Sequence, residues 1–99
     1  MPTADQMEKV FTTATATATS TVYNWPGGVG QFMADGTWDS ATLNMEMSPD
    51  EGTTWFEVGS DTNLTAKGLA NFELGPCDIR ANLTVTGTSS LNCWMSVRH

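Results

Sequence analysis

Residues that could carry out acid–base or nucleophilic chemistry are few and scattered in this sequence. It contains one histidine, His99, which is the last residue, and two cysteines, Cys77 and Cys93. Nucleophilic catalysis of the Ser-His or Cys-His type needs an imidazole held beside the nucleophile. A structural zinc site needs four convergent ligands, which two cysteines without an internal histidine do not supply. We therefore expect no catalytic residue, no metal ligand and no cofactor.

The carboxylates are more numerous, but their spacing is typical of turns. Asp35 with Asp39, and Asp50 with Glu51, lie among glycine, serine and proline, where an Asp side chain commonly accepts hydrogen bonds from nearby backbone amides. Neither pair has the spacing of a calcium-binding loop. The glycine-rich residues 27–30 are not followed by a helical pattern, so they predict a turn and not a phosphate loop. We therefore predict that the chain is not an enzyme.

Aromatic residues remain as candidates for contact with a partner, because the chain has four tryptophans in 99 residues. Each could pack in the core or anchor an interface. Trp94 alternates out of phase with the apolar residues of its predicted strand, so it is expected to face away from the core. The candidate partner-contact residues are Trp55 and Trp94, together with Thr13, Thr15 and Thr17 of a threonine-rich segment.

Charge limits the partners further. Eleven acidic residues against four Lys plus Arg give a formal net charge of −7. Such a surface repels phosphate backbones and anionic lipid, so we expect neither nucleic acid nor membrane as a partner. No apolar run approaches the roughly 18 residues of a membrane span, and the first residues lack the layout of a secretory signal. We therefore expect the chain to be cytosolic when it is made.

The elements that position these residues are short strands. Residues 42–47 alternate between apolar and polar, residues 48–52 have turn composition, and residues 54–58 form a return strand, which together predict a β-hairpin. If Phe56 lies on the core face, Trp55 points outward, whereas a bulge near the turn would reverse this arrangement.

Strands are predicted at residues 19–24, 31–34, 41–48, 54–58, 71–74, 78–86 and 91–97, with turn residues between them. This pattern predicts an all-β, single-domain antiparallel β-sandwich, either jelly-roll or Ig-like, spanning residues 21–99. Residues 12–21 alternate Thr and Ala, which favours extended structure. Residues 1–20 are therefore predicted to be an extended N-terminal arm that adds to a neighbouring chain or, alternatively, an edge strand.

The cysteines are expected to be free. If residues 78–86 and 91–97 pair as a hairpin, Cys93 lies opposite about Thr84, which places Cys77 roughly 23 Å away at the rise of a strand. A disulfide needs Cα atoms within about 7 Å. An inter-sheet bridge is the alternative if another strand intervenes.

The residues 35–39 (Asp-Gly-Thr-Trp-Asp), 43–55 and 58–59 (Val-Gly) resemble a stretch of small β-sandwich virion proteins of tailed bacteriophages, which include capsid decoration (cement) proteins. The resemblance implies a protein on the outer capsid surface of the virion that clamps major capsid protein subunits, often as a homotrimer. Similar hairpins occur in tail and fibre modules. Ser40 and Glu51 stand where that pattern has glycine. The alternative function is a small carbohydrate-binding module that uses the tryptophans as a stacking platform.

Overall fold

Strands account for almost all regular structure in the described part of the chain, which in this computed structural model comprises residues 5–59, 62–85 and 87–98. His99 and the predicted strand end at Thr86 lie outside the described residues. The strands are β1 (Asp5–Ala14), β2 (Ala18–Thr19), β3 (Tyr23–Trp25), β4 (Gly28–Thr37), β5 (Thr42–Ser48), β6 (Phe56–Glu57), β7 (Asn63–Leu64), β8 (Gly68–Leu74), β9 (Cys77–Thr84) and β10 (Ser90–Arg98).

The strands form two antiparallel sheets with the strand order of a jelly roll. The first sheet has the order β1-β10-β4-β8, and the second has β2-β9-β5-β6, with β3 also paired to β9 and β7 also paired to β5. The interrupted strands β2/β3 and β6/β7 can each be counted as one strand. Successive strands then alternate between the two sheets, except that β5 and β6/β7 both belong to the second sheet. This pattern is the jelly roll. The predicted antiparallel β-sandwich is confirmed, and of the two alternatives the topology is the jelly roll.

The core lies between the sheets and is built from alternate residues of the long strands. Phe32, Leu43, Ile79, Leu83 and Met95 are fully buried, as expected for the inward phase of a period-2 pattern. Side chains of the opposite phase lie on the two outer faces. The inward faces therefore form the apolar core, and the outer faces are the surfaces available for contacts.

The first strand of the chain, β1, lies mostly before the Thr/Ala alternation of residues 12–21. β1 pairs antiparallel with β10 at the edge of the first sheet, and its Phe11 is buried in the core. The alternation does not continue as one strand through residues 12–21, because Thr13 has a φ of 41° and the chain turns away after Ala14. Among the described residues, β1 is an edge strand of the sandwich, which is the alternative given for this segment, and the Thr/Ala alternation is interrupted between Ala14 and Ala18.

Connections across the sandwich also correct the predicted pairing of the last two strands. β9 belongs to the second sheet and β10 to the first, so they do not form a hairpin. Cys77 and Cys93 are nevertheless free and buried, as expected. Burial raises the pKa of the Cys93 thiol to about 12, and burial together with the charge of Asp78 raises the pKa of the Cys77 thiol.

The glycine-rich residues 27–30 are also more than the predicted turn, because β4 already begins at Gly28. Gly27 has a φ of 107° and Gly28 a φ of 111°. Gly30 is buried within the strand, where a Cβ atom would lie 2.5 Å from the ring of Phe72. The absence of a side chain at Gly30 lets Phe72 pack directly on the backbone of β4.

Side-chain hydrogen bonds order the turn after β5. The Ser48 hydroxyl accepts a hydrogen bond from the Gly52 amide at 2.8 Å, and the Asp50 carboxylate accepts one from the Thr54 amide at 2.7 Å. Hydrogen bonds from Thr54, and then from Ser48, hold the pKa of the Asp50 carboxyl below its usual value. The predicted hairpin is confirmed, with Glu46 opposite Glu57 and Met47 opposite Phe56.

The return strand is shorter than predicted, and this changes the environment of one aromatic residue. β6 has only two residues and lies at the edge of the second sheet. The register is the first of the two alternatives, with Phe56 on the same face as Met47, but at this short edge strand Phe56 is left 53% exposed. Val58 does pack against the core.

Two turn residues carry backbone strain at the positions where the resembling phage pattern has glycine. Glu51 has a φ of 61° and Ser40 a φ of 68°, which is the left-handed region that glycine tolerates best. We expect Glu51→Gly to raise the free energy of unfolding by about 0.5–1 kcal/mol, since relief of strain exceeds the added entropy of the unfolded chain. Urea unfolding followed by tryptophan fluorescence measures the effect.

Gly52→Ala is the matched control for this prediction, because Gly52 in the same turn has a φ of 92°. Alanine there adds strain and should lower the midpoint of unfolding. A Glu51→Gly midpoint equal to or below that of the wild type would contradict the prediction.

Candidate partner-contact surfaces

Trp94 lies on the outer side of the first sheet, as its phase predicted. In the strand register Trp94 is opposite Met33 of β4, and Met33 is opposite Leu69 of β8. On the other side Lys9 of β1 is opposite Trp94, with its Nζ 5.3 Å from the indole centroid. These four side chains form one row across the whole first sheet.

The row lies on a mixed apolar and polar surface, of which the apolar residues and Lys9 are here called the Trp94 face. The next row contains Ser96, Gln31 and Asn71 beside Met7, and Val29 lies opposite Glu73. A cavity of about 390 Å³ opens beside Trp94, Met33 and Leu69, with Asp35 and Lys67 at its margin. Leu69 is 54% exposed, and large apolar residues of this kind are usually scattered singly on a soluble protein. The Trp94 face comprises Met7, Lys9, Val29, Met33, Leu69 and Trp94.

Trp55 lies on the outer side of the second sheet, but another side chain of the protein already covers its ring. The guanidinium carbon of Arg80 lies 4.0 Å from the centroid of the Trp55 ring, and Arg80 Nε donates to Glu46 Oε1 at 2.8 Å. The indole N–H of Trp55 donates to the Gly52 carbonyl at 3.1 Å. Trp55 is thus half-buried and attaches the hairpin turn to the sheet.

Polar residues cover the rest of this side, which we call the Trp55 face. Asn44 lies opposite Asn82 of β9 and opposite Asn63 of β7, and Asn82 lies opposite Thr19 of β2. A row of amide and hydroxyl groups therefore crosses the second sheet. The Trp55 face comprises Thr19, Asn44, Glu46, Trp55, Asn63, Arg80 and Asn82. Because Trp55 and Trp94 lie on opposite sides of the sandwich, they do not form one site.

The three threonine candidates lie around the end of β1 and the connection to β2. The Thr13 amide donates to Asn92 Oδ1 at 3.0 Å, and the Thr17 hydroxyl accepts a hydrogen bond from the Val85 amide at 2.9 Å. Thr15 is exposed between them. Thr13 and Thr17 thus hold the connection onto neighbouring strands.

The carboxylates occupy the structural positions that their turns predicted. Asp39 Oδ2 accepts a hydrogen bond from the Thr88 amide at 2.6 Å, and Asp35 Oδ1 accepts one from the Gly36 amide at 2.8 Å. Among the described residues, no group of three or more His, Cys, Asp or Glu side chains is arranged to hold a metal ion. Nor does that part of the chain contain a helix long and apolar enough to cross a membrane.

The sequence reasoning missed Met33, Leu69 and Val29, which make up half of the Trp94 face. Their signal was present, because β4 and β8 carry apolar residues in both phases of the alternation. A strand with one buried face should alternate with polar residues. Apolar residues in the second phase therefore indicate a second apolar surface.

Comparison with known proteins gives only general likenesses of fold. No protein family and no curated protein matches this sequence. A mutant of the carbohydrate-binding module CBM29-2 superposes with a TM-score of 0.48 at 10% identity, over 96% of this chain and 91% of that one. Structures of the Gx and Gt strains of infectious bursal disease virus give TM-scores of 0.42 and 0.41 at 13% identity. This chain covers 31% and 30% of those viral chains.

Proposed function

We propose that this protein is a non-catalytic structural module of a phage virion, of the capsid decoration type, and that it attaches to the protein shell through the Trp94 face. The observation that carries the proposal is the apolar row formed by Trp94, Met33 and Leu69 on the outside of the sheet. Interfaces are commonly anchored by a tryptophan surrounded by apolar groups that exclude water. The resemblance of residues 35–59 to phage virion proteins supplies the class of partner.

The surroundings of the tryptophans support a protein partner over a glycan. Sugar recognition combines a free aromatic ring with convergent polar groups that bond the hydroxyls. The Trp55 ring is not free, since Arg80 covers it and its N–H donates to the Gly52 carbonyl. Trp94 lies between Lys9 and the Met33 thioether, with Leu69 beyond Met33, and the apolar part of this row suits the apolar side chains of another protein.

Charge supports the same assignment. The Trp94 face carries Lys9, and Lys67 lies at its margin, so two of the four Lys plus Arg residues of a chain with net charge −7 lie at this surface. Lys9 and Lys67 offer an acidic protein surface two cationic side chains there, whereas on the Trp55 face Arg80 is already paired with Glu46, and Glu57 lies opposite Glu46. Packaged DNA would be repelled by the molecule as a whole.

The test is co-sedimentation with empty heads assembled from the major capsid protein of the same phage genome. Trp94→Ala should weaken binding about thirtyfold or more, as for a central interface tryptophan. Leu69→Ser should also weaken binding, and because Leu69 is 54% exposed its replacement leaves the core intact.

Phe56→Ser is the matched control, since Phe56 is 53% exposed at the edge of the other sheet. It should bind heads as the wild type does. Equal binding by all variants would contradict the role of the Trp94 face, and failure of the wild-type protein to bind heads would contradict the decoration function.

A carbohydrate-binding module is the second candidate, and the row of Asn63, Asn44 and Asn82 is the observation in its favour. Side-chain amides are donors and acceptors suited to sugar hydroxyls. Retardation in polysaccharide gels that is lost in Asn82→Ala, without binding to heads, would support this function instead.

A further inference from the structure

The two edges of the first sheet differ in how well they are protected against pairing with another chain. At the β1 edge, the ladder to β10 is broken by register shifts between Lys9 and Phe11 and between Phe11 and Ala14. Such irregularities are a common way to prevent edge-to-edge association. The β8 edge is regular along its full length, from Gly68 opposite Ala34 to Leu74 opposite Gly28.

β8 is also longer than the edge strands of the second sheet. It has seven residues and contains no proline, and within the described residues its backbone pairs only with β4. The edge strands β2 and β6 of the second sheet have two residues each. A regular, unprotected strand of this length is a template for a further strand.

We propose that β8 pairs antiparallel with β8 of a second copy of this chain, about a two-fold axis that lies midway between the two copies of Ala70. Antiparallel pairing keeps side chains that lie opposite each other on the same face of the sheet. The buried phase of β8, with Ala70 and Phe72, must stay on the core side in both copies. A residue of β8 must therefore lie opposite its own copy. If the register were shifted by one residue, the apolar phase of one copy would lie on the outer face of the other.

Charge selects Ala70 among the possible centres. With Ala70 at the centre, Leu69 lies opposite Asn71, and where the pairing extends one residue beyond β8, Lys67 of each copy lies opposite Glu73 of the other. A centre at Leu69 or Asn71 leaves the two charged residues without opposite partners, and a centre at Glu73 places the two Glu73 side chains against each other. Lys67 and Glu73 are both exposed, and neither forms an ion pair in the described part of the chain.

A second copy fits this edge because the dimer would contain two pairs of opposite charge, each between Lys67 of one copy and Glu73 of the other. The pairing extends the first sheet to eight strands and leaves both Trp94 faces open on the same side of the assembly. This inference goes beyond the proposed function and does not depend on it, because backbone pairing along β8 needs no contact with a capsid; Leu69 and Lys67 lie where this edge borders the Trp94 face.

Sedimentation equilibrium of the full chain at concentrations up to about 1 mM tests the proposal. The wild type should form a dimer. Lys67→Glu alone, or Glu73→Lys alone, replaces both attractive pairs by repulsive ones and should raise the dimer dissociation constant about tenfold or more. The combined Lys67→Glu and Glu73→Lys variant restores opposite charges across the axis and should recover the wild-type constant.

Lys9→Glu is the matched control, because it reverses a charge of the same sign at the opposite edge and should leave the dimer unchanged. Circular dichroism and melting temperature show whether each variant is folded. A wild type that remains monomeric or forms a trimer, as the phage resemblance implies, overturns the proposal. So does a double variant that stays dissociated while folded.

Discussion

Removal of residues 1–16 should destabilise the sandwich strongly. β1 pairs with β10 along residues 5–14, and its loss leaves β10 as an unprotected edge and removes Phe11 from the core. Truncation of a buried phenylalanine alone typically costs about 3–5 kcal/mol. We therefore expect the shortened chain to unfold or to lose most of its free energy of unfolding, as measured by urea denaturation.

Two point variants separate the parts of this effect. Phe11→Ala should lower the free energy of unfolding by about 3 kcal/mol, because Phe11 is only 9% exposed. Thr15→Ala, in the exposed connection after β1, should change it by no more than about 0.5 kcal/mol. A truncated protein with the wild-type midpoint would show instead that the segment is a separate arm, as the Thr/Ala composition suggested.

Gly36→Ala should also be among the most damaging single substitutions. Gly36 lies opposite Leu91 with a φ of 134°, and a Cβ atom there would overlap the carbonyl oxygen of Ser90. The substitution combines a strained backbone with a clash against the neighbouring strand. We expect a loss of about 3 kcal/mol or more in the free energy of unfolding.

Two other glycines provide controls for this substitution. Gly28 has a φ of 111° but open space around it, so Gly28→Ala measures strain without the clash, expected at about 1–2 kcal/mol. Gly75 has open space and no positive φ, and Gly75→Ala should be nearly neutral. Equal effects at Gly36 and Gly28 would contradict the proposed contact with Ser90.

The sequence allowed the class of fold and the face of several residues to be predicted, because alternation is a local property. β5 spans Thr42–Ser48 where residues 41–48 were predicted, and Trp94 faces outward as its phase required. Strand partners could not be obtained in this way. β9 and β10 are neighbours in sequence but belong to opposite sheets, and period-2 alternation does not specify which strands pair.

The candidate surfaces were predicted only in part for a similar reason. Trp94 could be identified because tryptophan is a large aromatic residue that often anchors interfaces. Met33 and Leu69 become candidates only once the structure aligns them with Trp94 across three strands. The use of the Trp55 ring by Arg80 depends on the pairing of β5 with β9, which is a long-range contact. A surface assembled from several strands cannot be obtained from any one of them.

The pairing of β1 with β10 has a consequence for how the chain acquires its structure during synthesis. Residues 5–14 leave the ribosome first among the described strands, yet their partner, residues 90–98, is made last. Folding that depends on contacts between distant parts of a sequence is slow, because the chain must close large loops before those contacts form. The nascent β1, with its apolar Val10 and Phe11, therefore remains without its partner strand while some 75 further residues are translated. This takes about 4–15 s at typical elongation rates.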